Sequence, residues 1–211
     1  MRTAPLLLVL GLASCRSAYY GTMEAFGHPK REILVDRVEE ARDQQQEAKE
    51  QFQTALERFQ ELTGHTGGEL EELYTKLKDE YEDCQSEADD VSEHIDSVED
   101  VSDALFEEWE AELKQYSDDD LREQSATKLA ETKTRCRELV AVMRKAEKAM
   151  KPVLSAFGDR VLFLKHNLNA QAIASLKGHA KSLEADIHKL VTQMESAIRE
   201  ANEFIDAMPE G

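Results

Sequence analysis

Proline and glycine are scarce in this chain, four and nine in 211 residues, and aromatic side chains make up only 6% of it. Sheet proteins need frequent turn residues and draw on aromatic and β-branched side chains, so this profile excludes a strand-rich fold and points to long solvated helices. Cysteine is also rare, with three residues, Cys15, Cys84 and Cys136. The longest apolar run, residues 4 to 12, is far short of the ~20 residues that a permanent membrane helix needs. Basic residues are nearly missing from one stretch. Between Gly67 and Asp120 there are 22 acidic residues against three basic ones, Lys76, Lys78 and Lys114, and this segment carries the imbalance of a chain whose net charge is −18. A polar chain of that charge stays disordered unless a regular apolar pattern lets it bury a core. Here the pattern is present.

The first residues read as a targeting segment and are set aside before the fold is considered. Arg2 supplies a minimal positive region, residues 4 to 12 a short apolar one, and Leu12-Ala13-Ser14-Cys15 follows at once. That run resembles the bacterial lipobox, which implies cleavage before Cys15 and a covalent lipid on it. Residues 1–14 are then the signal peptide, 15–29 a lipid-anchored tether and 30–208 a helical bundle domain. Arg16 stands where an aspartate would retain such a protein in the inner membrane, so the resemblance implies an outer-membrane anchor on the periplasmic side. Export places Cys84 and Cys136 in an oxidising compartment. Tyr19, Tyr20 and Phe26 of the tether either lie among lipid headgroups or pack on the base of the bundle.

Four apolar stripes follow. The first, Leu34, Val38, Ala41, Gln45, Ala48, Phe52, Ala55, Phe59 and Leu62, alternates steps of four and three, the seam of a left-handed coiled coil. Gln45 is its one polar member and reads as a register-setting core amide. The glycines of Thr63 to Gly68 break this helix, with Gly64 placed as a C-cap. The second stripe runs from Leu70 through Leu77, Cys84, Val91, Val98 and Leu105 to Trp109 and Tyr116. Ser117 then reads as an N-cap, with Asp118, Asp119 and Asp120 in the first turn of helix 3, where the helix dipole favours carboxylates. The third stripe extends from Leu121 to Leu168 through Cys136, Met143, Phe157 and Leu164, and Pro152 inside it predicts a kink. Asn169 reads as the N-cap of helix 4, whose stripe runs from Ile173 to Met208. The fold class expected is all-α, an elongated antiparallel bundle of about four long helices.

Short turns make neighbouring helices antiparallel. Helices 2 and 3 each hold roughly 45 to 50 residues, about 70 Å, while helices 1 and 4 hold roughly 33 and 38. The helix 2 to helix 3 hairpin should therefore protrude, over about residues 102 to 132. Phe106, Trp109 and Tyr116 lie on that arm, either as a partner contact or as the residues that zip its two helices together. The same register sets Cys84 and Cys136 about 22 Å apart along the axis, against the ~7 Å between Cα atoms that a disulfide allows.

Sites of catalysis and strong metal binding were sought by spacing. A di-iron bundle needs Glu-x-x-His pairs, and none of the six histidines has a glutamate three residues before it. His-Glu-x-x-His, phosphate-binding glycine loops, Gly-x-Ser-x-Gly and Cys-x-x-Cys are also missing. The acidic helix reads first as a solvated face partly neutralised by Lys133, Arg135, Arg137, Arg144, Lys145 and Lys148 of helix 3. Two further readings are weak divalent-cation binding by Asp79, Glu80, Asp83, Asp89, Asp90 and Glu93, and docking of a basic protein partner. Nucleic acid is excluded as a partner, since phosphate would be repelled.

Three segments carry a family resemblance: Ser17-Ala18-Tyr19-Tyr20, the run from Arg31 to Asp43, and the run from Leu164 to Leu176. Together they resemble an uncharacterised proteobacterial family known as domain of unknown function 2959. The resemblance implies a small helical envelope protein and supplies no activity, cofactor or catalytic residue. Within the last segment Lys165, His166, Asn167 and Asn169 cluster at the expected corner between helices 3 and 4, as capping residues or as a polar recognition site. The expectation that results is a non-enzymatic envelope lipoprotein with a structural or adaptor role, no cofactor beyond the lipid on Cys15, membrane contact through that lipid, and a protein partner.

Overall fold

The structure, a computed structural model of the chain, describes residues 29–64 and 70–208. These form four α-helices: α1 (Lys30–Gly64), α2 (Leu70–Glu112), α3 (Asp119–His166) and α4 (Ala170–Ala207), with a 3-10 turn at Leu113–Gln115. Among the described residues there is no strand. The helices pack as a closed ring in which α1 meets α2 and α4, and α3 meets the same two. Phe157 of α3 closes the middle, edge-on to Phe59 of α1 at 6.2 Å and to Tyr81 of α2 at 5.6 Å.

The helix ends follow local chemistry. The Pro29 carbonyl accepts the first free amides of α1, Glu32 at 2.9 Å and Ile33 at 3.2 Å. The N-cap of α3 is Asp118, not Ser117. The Asp118 carboxylate accepts from Asp120 N and Leu121 N at 3.0 and 3.1 Å, which a charged cap beside the positive helix end does better than a hydroxyl one residue earlier. Asn169 caps α4 as its sequence predicts, accepting from Gln171 N and Ala172 N. α3 continues through Pro152, whose position is exposed.

Every member of the α1 stripe is buried, Gln45 included. The core is nevertheless wider than a two-per-heptad seam. Ile33, Leu56, Val101, Phe106 and Val191 are also buried, because a helix in a four-membered ring faces two neighbours and hides a broader stripe than a coiled-coil strand does.

The hairpin between α2 and α3 projects less than its sequence predicts. Lys30 at the start of α1 reaches Glu108 on α2 at 3.0 Å, and Ser102, Leu105, Phe106 and Leu129 are all buried. Only the tip beyond about Trp109 extends past α1. Helix α2 ends at Glu112 rather than near Tyr116, and α1 runs 35 residues, so the difference in length that drives the overhang shrinks.

The acidic wall of α2 is crossed from both α1 and α3. Lys30, Arg37, Gln44, Gln51 and Arg58 recur every seven residues, one column along α1. Lys30 bonds Glu108, Gln44 donates to Glu87 at 2.5 Å, Gln51 to Glu80 at 2.8 Å, and Arg58 reaches Glu80 at 3.4 Å. Arg37 bonds Glu40 of its own helix. From α3, Lys133 joins Glu110, and Arg144 joins both Asp96 and Glu99.

Candidate functional site

The helix directions give the bundle two unlike ends. At one end lie the start of α1, the tip of the α2 to α3 hairpin and the end of α4. Lys30 meets Glu108 there, and one cavity touches Arg31, Trp109 and Met208 together. At the other lie the α1 to α2 connection and the α3 to α4 corner. Lys30 begins α1 at the first end, called here the proximal end.

The three aromatic residues singled out on the arm have different environments. Phe106 is only 8% exposed, with the Lys133 ammonium 5.6 Å from its ring centre, so it belongs to the inside of the arm. Trp109 is half-buried and donates its indole N–H to Ser125 Oγ at 2.8 Å, a bond that ties α2 to α3. Tyr116 is exposed at the tip, and Leu121 beside it is 52% exposed although its spacing continues the α3 stripe. No helix faces that stripe so near the tip. Cys15 lies outside the described residues.

The carboxylates proposed for cation binding do not converge. Glu80 is engaged by Gln51 and Arg58, whereas Asp79, Asp83, Asp89, Asp90 and Glu93 are exposed along α2. Among the described residues no three His, Cys, Asp or Glu side chains form a group that could hold a metal ion. The wall shows its own repulsion at Glu87, whose carboxyl is pushed up by burial and by Glu47 and Asp90, against the bond from Gln44.

The cysteines are both buried and unpaired with each other. Cys136 and Ser102 line the same groove between α2 and α3, where the Ser102 hydroxyl donates to the Glu99 carbonyl at 2.9 Å. Burial raises the pKa of both thiols, that of Cys136 to about 11. Both shifts favour the protonated thiol over the thiolate.

At the distal corner two of the four polar residues, Asn167 and Asn169, make capping bonds, while Lys165 and His166 are exposed. Asn169 caps α4, and Asn167 donates its side-chain amide to the Phe163 carbonyl at 3.0 Å. What the sequence reading missed here is apolar. Leu162 and Phe163 are 59% and 40% exposed, the outward pair of a Val-Leu-Phe-Leu run whose Val161 and Leu164 enter the core. The signal was four consecutive apolar residues where a helix can bury only two.

Grooves lie along and beneath the arm. A cavity of about 760 Å³ between α2 and α3 has Cys136 and Phe106 in its lining among Glu99, Asp103, Lys133 and Arg144. One of about 530 Å³ opens at the proximal end. A third, of about 420 Å³, lies beside Tyr81 and Gly158 near Leu162.

A family model described as protein of unknown function (DUF2959) matches residues 19–208. The chain belongs to this family. No curated protein and no solved structure matches it. Membership therefore brings no assigned ligand or reaction to the residues above, and the DUF2959 match begins at Tyr19 and spans all four helices. Among the described residues no helix is long and apolar enough to cross a membrane.

Proposed function

We propose that the protein is a non-enzymatic lipoprotein of the cell envelope, held at the outer membrane by a lipid on Cys15, with its bundle serving as a structural or adaptor element in the periplasm. The observation that carries this reading is the separation of its ends. The chain enters the bundle at Lys30, and the exposed pair Leu162 and Phe163 lies at the far end of a helix of 48 residues, about 70 Å long. A bundle anchored at the proximal end would hold that apolar pair away from the bilayer, where a protein partner reaches it. Lys165 and His166 flank the pair and are exposed. The acidic wall of α2 favours a partner of net positive charge and disfavours nucleic acid.

The test is fractionation of cells that express the chain with Cys15→Ser. The variant is expected to leave the membrane fraction while its helical content and melting temperature stay those of the native chain. Unchanged membrane association would end the anchoring part of the proposal.

A further inference from the structure

The cavity at the proximal end differs from the rest of the surface in both charge and lining. Trp109, Phe204 and Met208 give it an apolar wall, and Arg31, Lys128 and Arg135 stand around it. Its one acidic lining residue, Glu131, is bonded to Lys128 at 3.0 Å. A pocket with a net positive lining is unusual on a chain of net charge −18. Its volume of about 530 Å³ falls within the range of small-molecule sites, which pair an apolar wall with a few polar groups that fix orientation.

The lining also comes from all four sides of the ring. Arg31 belongs to α1, Trp109 to α2, Lys128 and Arg135 to α3, and Phe204 and Met208 to the end of α4. Trp109 is half-buried and lines the cavity beside Phe204 and Met208. Its indole N–H is already satisfied by Ser125. The ring therefore offers the pocket only apolar surface, and the polar recognition falls to the two arginines, whose planar forks suit carboxylate or phosphate oxygens.

We infer that this cavity binds a single-chain anionic amphiphile, its aliphatic tail against Trp109, Phe204 and Met208 and its phosphate or carboxylate head between Arg31 and Arg135. The inference does not rest on acylation of Cys15, and failure of the fractionation test above would leave it standing.

Trp109 is the sole tryptophan of the chain, so its fluorescence reports the pocket directly. The full chain is titrated with dodecyl phosphate below its micelle threshold, and separately with 1-dodecanol, laurate and inorganic phosphate. A saturable blue shift is expected with dodecyl phosphate and with laurate, about ten-fold weaker binding with dodecanol, and no shift with inorganic phosphate. The double variant Arg31→Gln, Arg135→Gln is expected to weaken dodecyl phosphate binding about ten-fold or more, the loss of a charge-assisted contact. Both positions are at the surface, and an unchanged melting curve checks that the fold is intact. The inference is overturned if dodecyl phosphate gives no saturable shift, or if dodecanol and the double variant bind as tightly as the native pair. It is also overturned if binding emerges only after Tyr19, Tyr20 and Phe26 are all replaced by serine, which would make the tether the occupant.

Discussion

Lys30 Nζ donates to Glu108 Oε2 at 3.0 Å across 78 residues of sequence, and this pair fastens the first turn of α1 to the end of α2. Lys30 is 9% exposed, so the bond works in a partly dry site rather than at a screened surface. The contact fixes which end of the bundle the start of α1 shares with the hairpin tip.

Lys30→Ala should therefore cost about 1.5–3 kcal/mol, the range of a hydrogen bond to a charged group. Urea denaturation measures it. Glu108→Gln should cost less when Lys30 is already alanine, since partners in one bond do not contribute independently. Strictly additive losses in the double variant would show that the pair carries no coupling.

Gly158 is a glycine because α2 comes too close for anything larger. A Cβ built there would lie 2.5 Å from the Tyr81 hydroxyl and 2.9 Å from its Cζ, while Tyr81 is itself held edge-on to Phe157. Alanine is the better helix former by about 1 kcal/mol, yet Gly158→Ala should destabilise by about 1–2 kcal/mol through overpacking. Tyr81→Phe removes the nearest atom and should recover part of that loss. A stabilised Gly158→Ala variant would mean that the tyrosine moves aside freely.

The four helices were legible because each buries a stripe with regular three and four spacing, and residues such as Leu34, Phe52, Leu183 and Met194 are buried where that spacing puts them. The register between helices was less legible. It depends on pairs such as Lys30 with Glu108 and on α2 stopping at Glu112, neither of which a single helix pattern encodes. The sequence reading looked to α3 for cations that balance the acidic wall, and the structure adds the column at residues 30, 37, 44, 51 and 58 of α1. Glutamines supply two of those positions, and a count of charges overlooks them. The proximal cavity was invisible for a different reason: its lining combines residues from four helices, far apart in sequence, and no single stripe places Arg31, Trp109, Arg135 and Phe204 together.

Gln45 is 0% exposed, and neither its amide nitrogen nor its amide oxygen has a hydrogen-bond partner among the described atoms. It lies between Ala41 and Ala48 on the α1 stripe, where small neighbours leave no hydroxyl or amide to meet it. Gln45→Met keeps an unbranched side chain of similar length and removes both polar atoms. It should raise stability by about 1–2 kcal/mol, since burying an unpaired polar group costs roughly 1–3 kcal/mol. The urea midpoint should rise with an unchanged slope. A lower midpoint would show that the amide has a partner worth more than its desolvation.

The two buried thiols give the stability a defined response to alkali. Burial raises the Cys136 thiol from 9.0 to about 11 and raises Cys84 as well, so both folded values lie above the unfolded ones. The sign follows from proton counting. Above pH ~8.5 the unfolded chain begins to release these protons while the folded chain retains them, and stability falls with rising pH. The full contribution is present below the unfolded value, and for Cys136 the loss continues until about pH 11. The slope approaches about 1.4 kcal/mol per pH unit for each thiol within that window. Lysine and tyrosine titrate in the same region, so the comparison that isolates the effect is native chain against Cys84→Ala, Cys136→Ala. The variant should start less stable at pH 7, because two buried side chains are truncated, and should then lose less stability between pH 8 and 10 than the native chain. Equal slopes would place the thiols in contact with water. A Cys84 to Cys136 disulfide in a nonreducing peptide map would contradict the register itself, in which both thiols are free and buried.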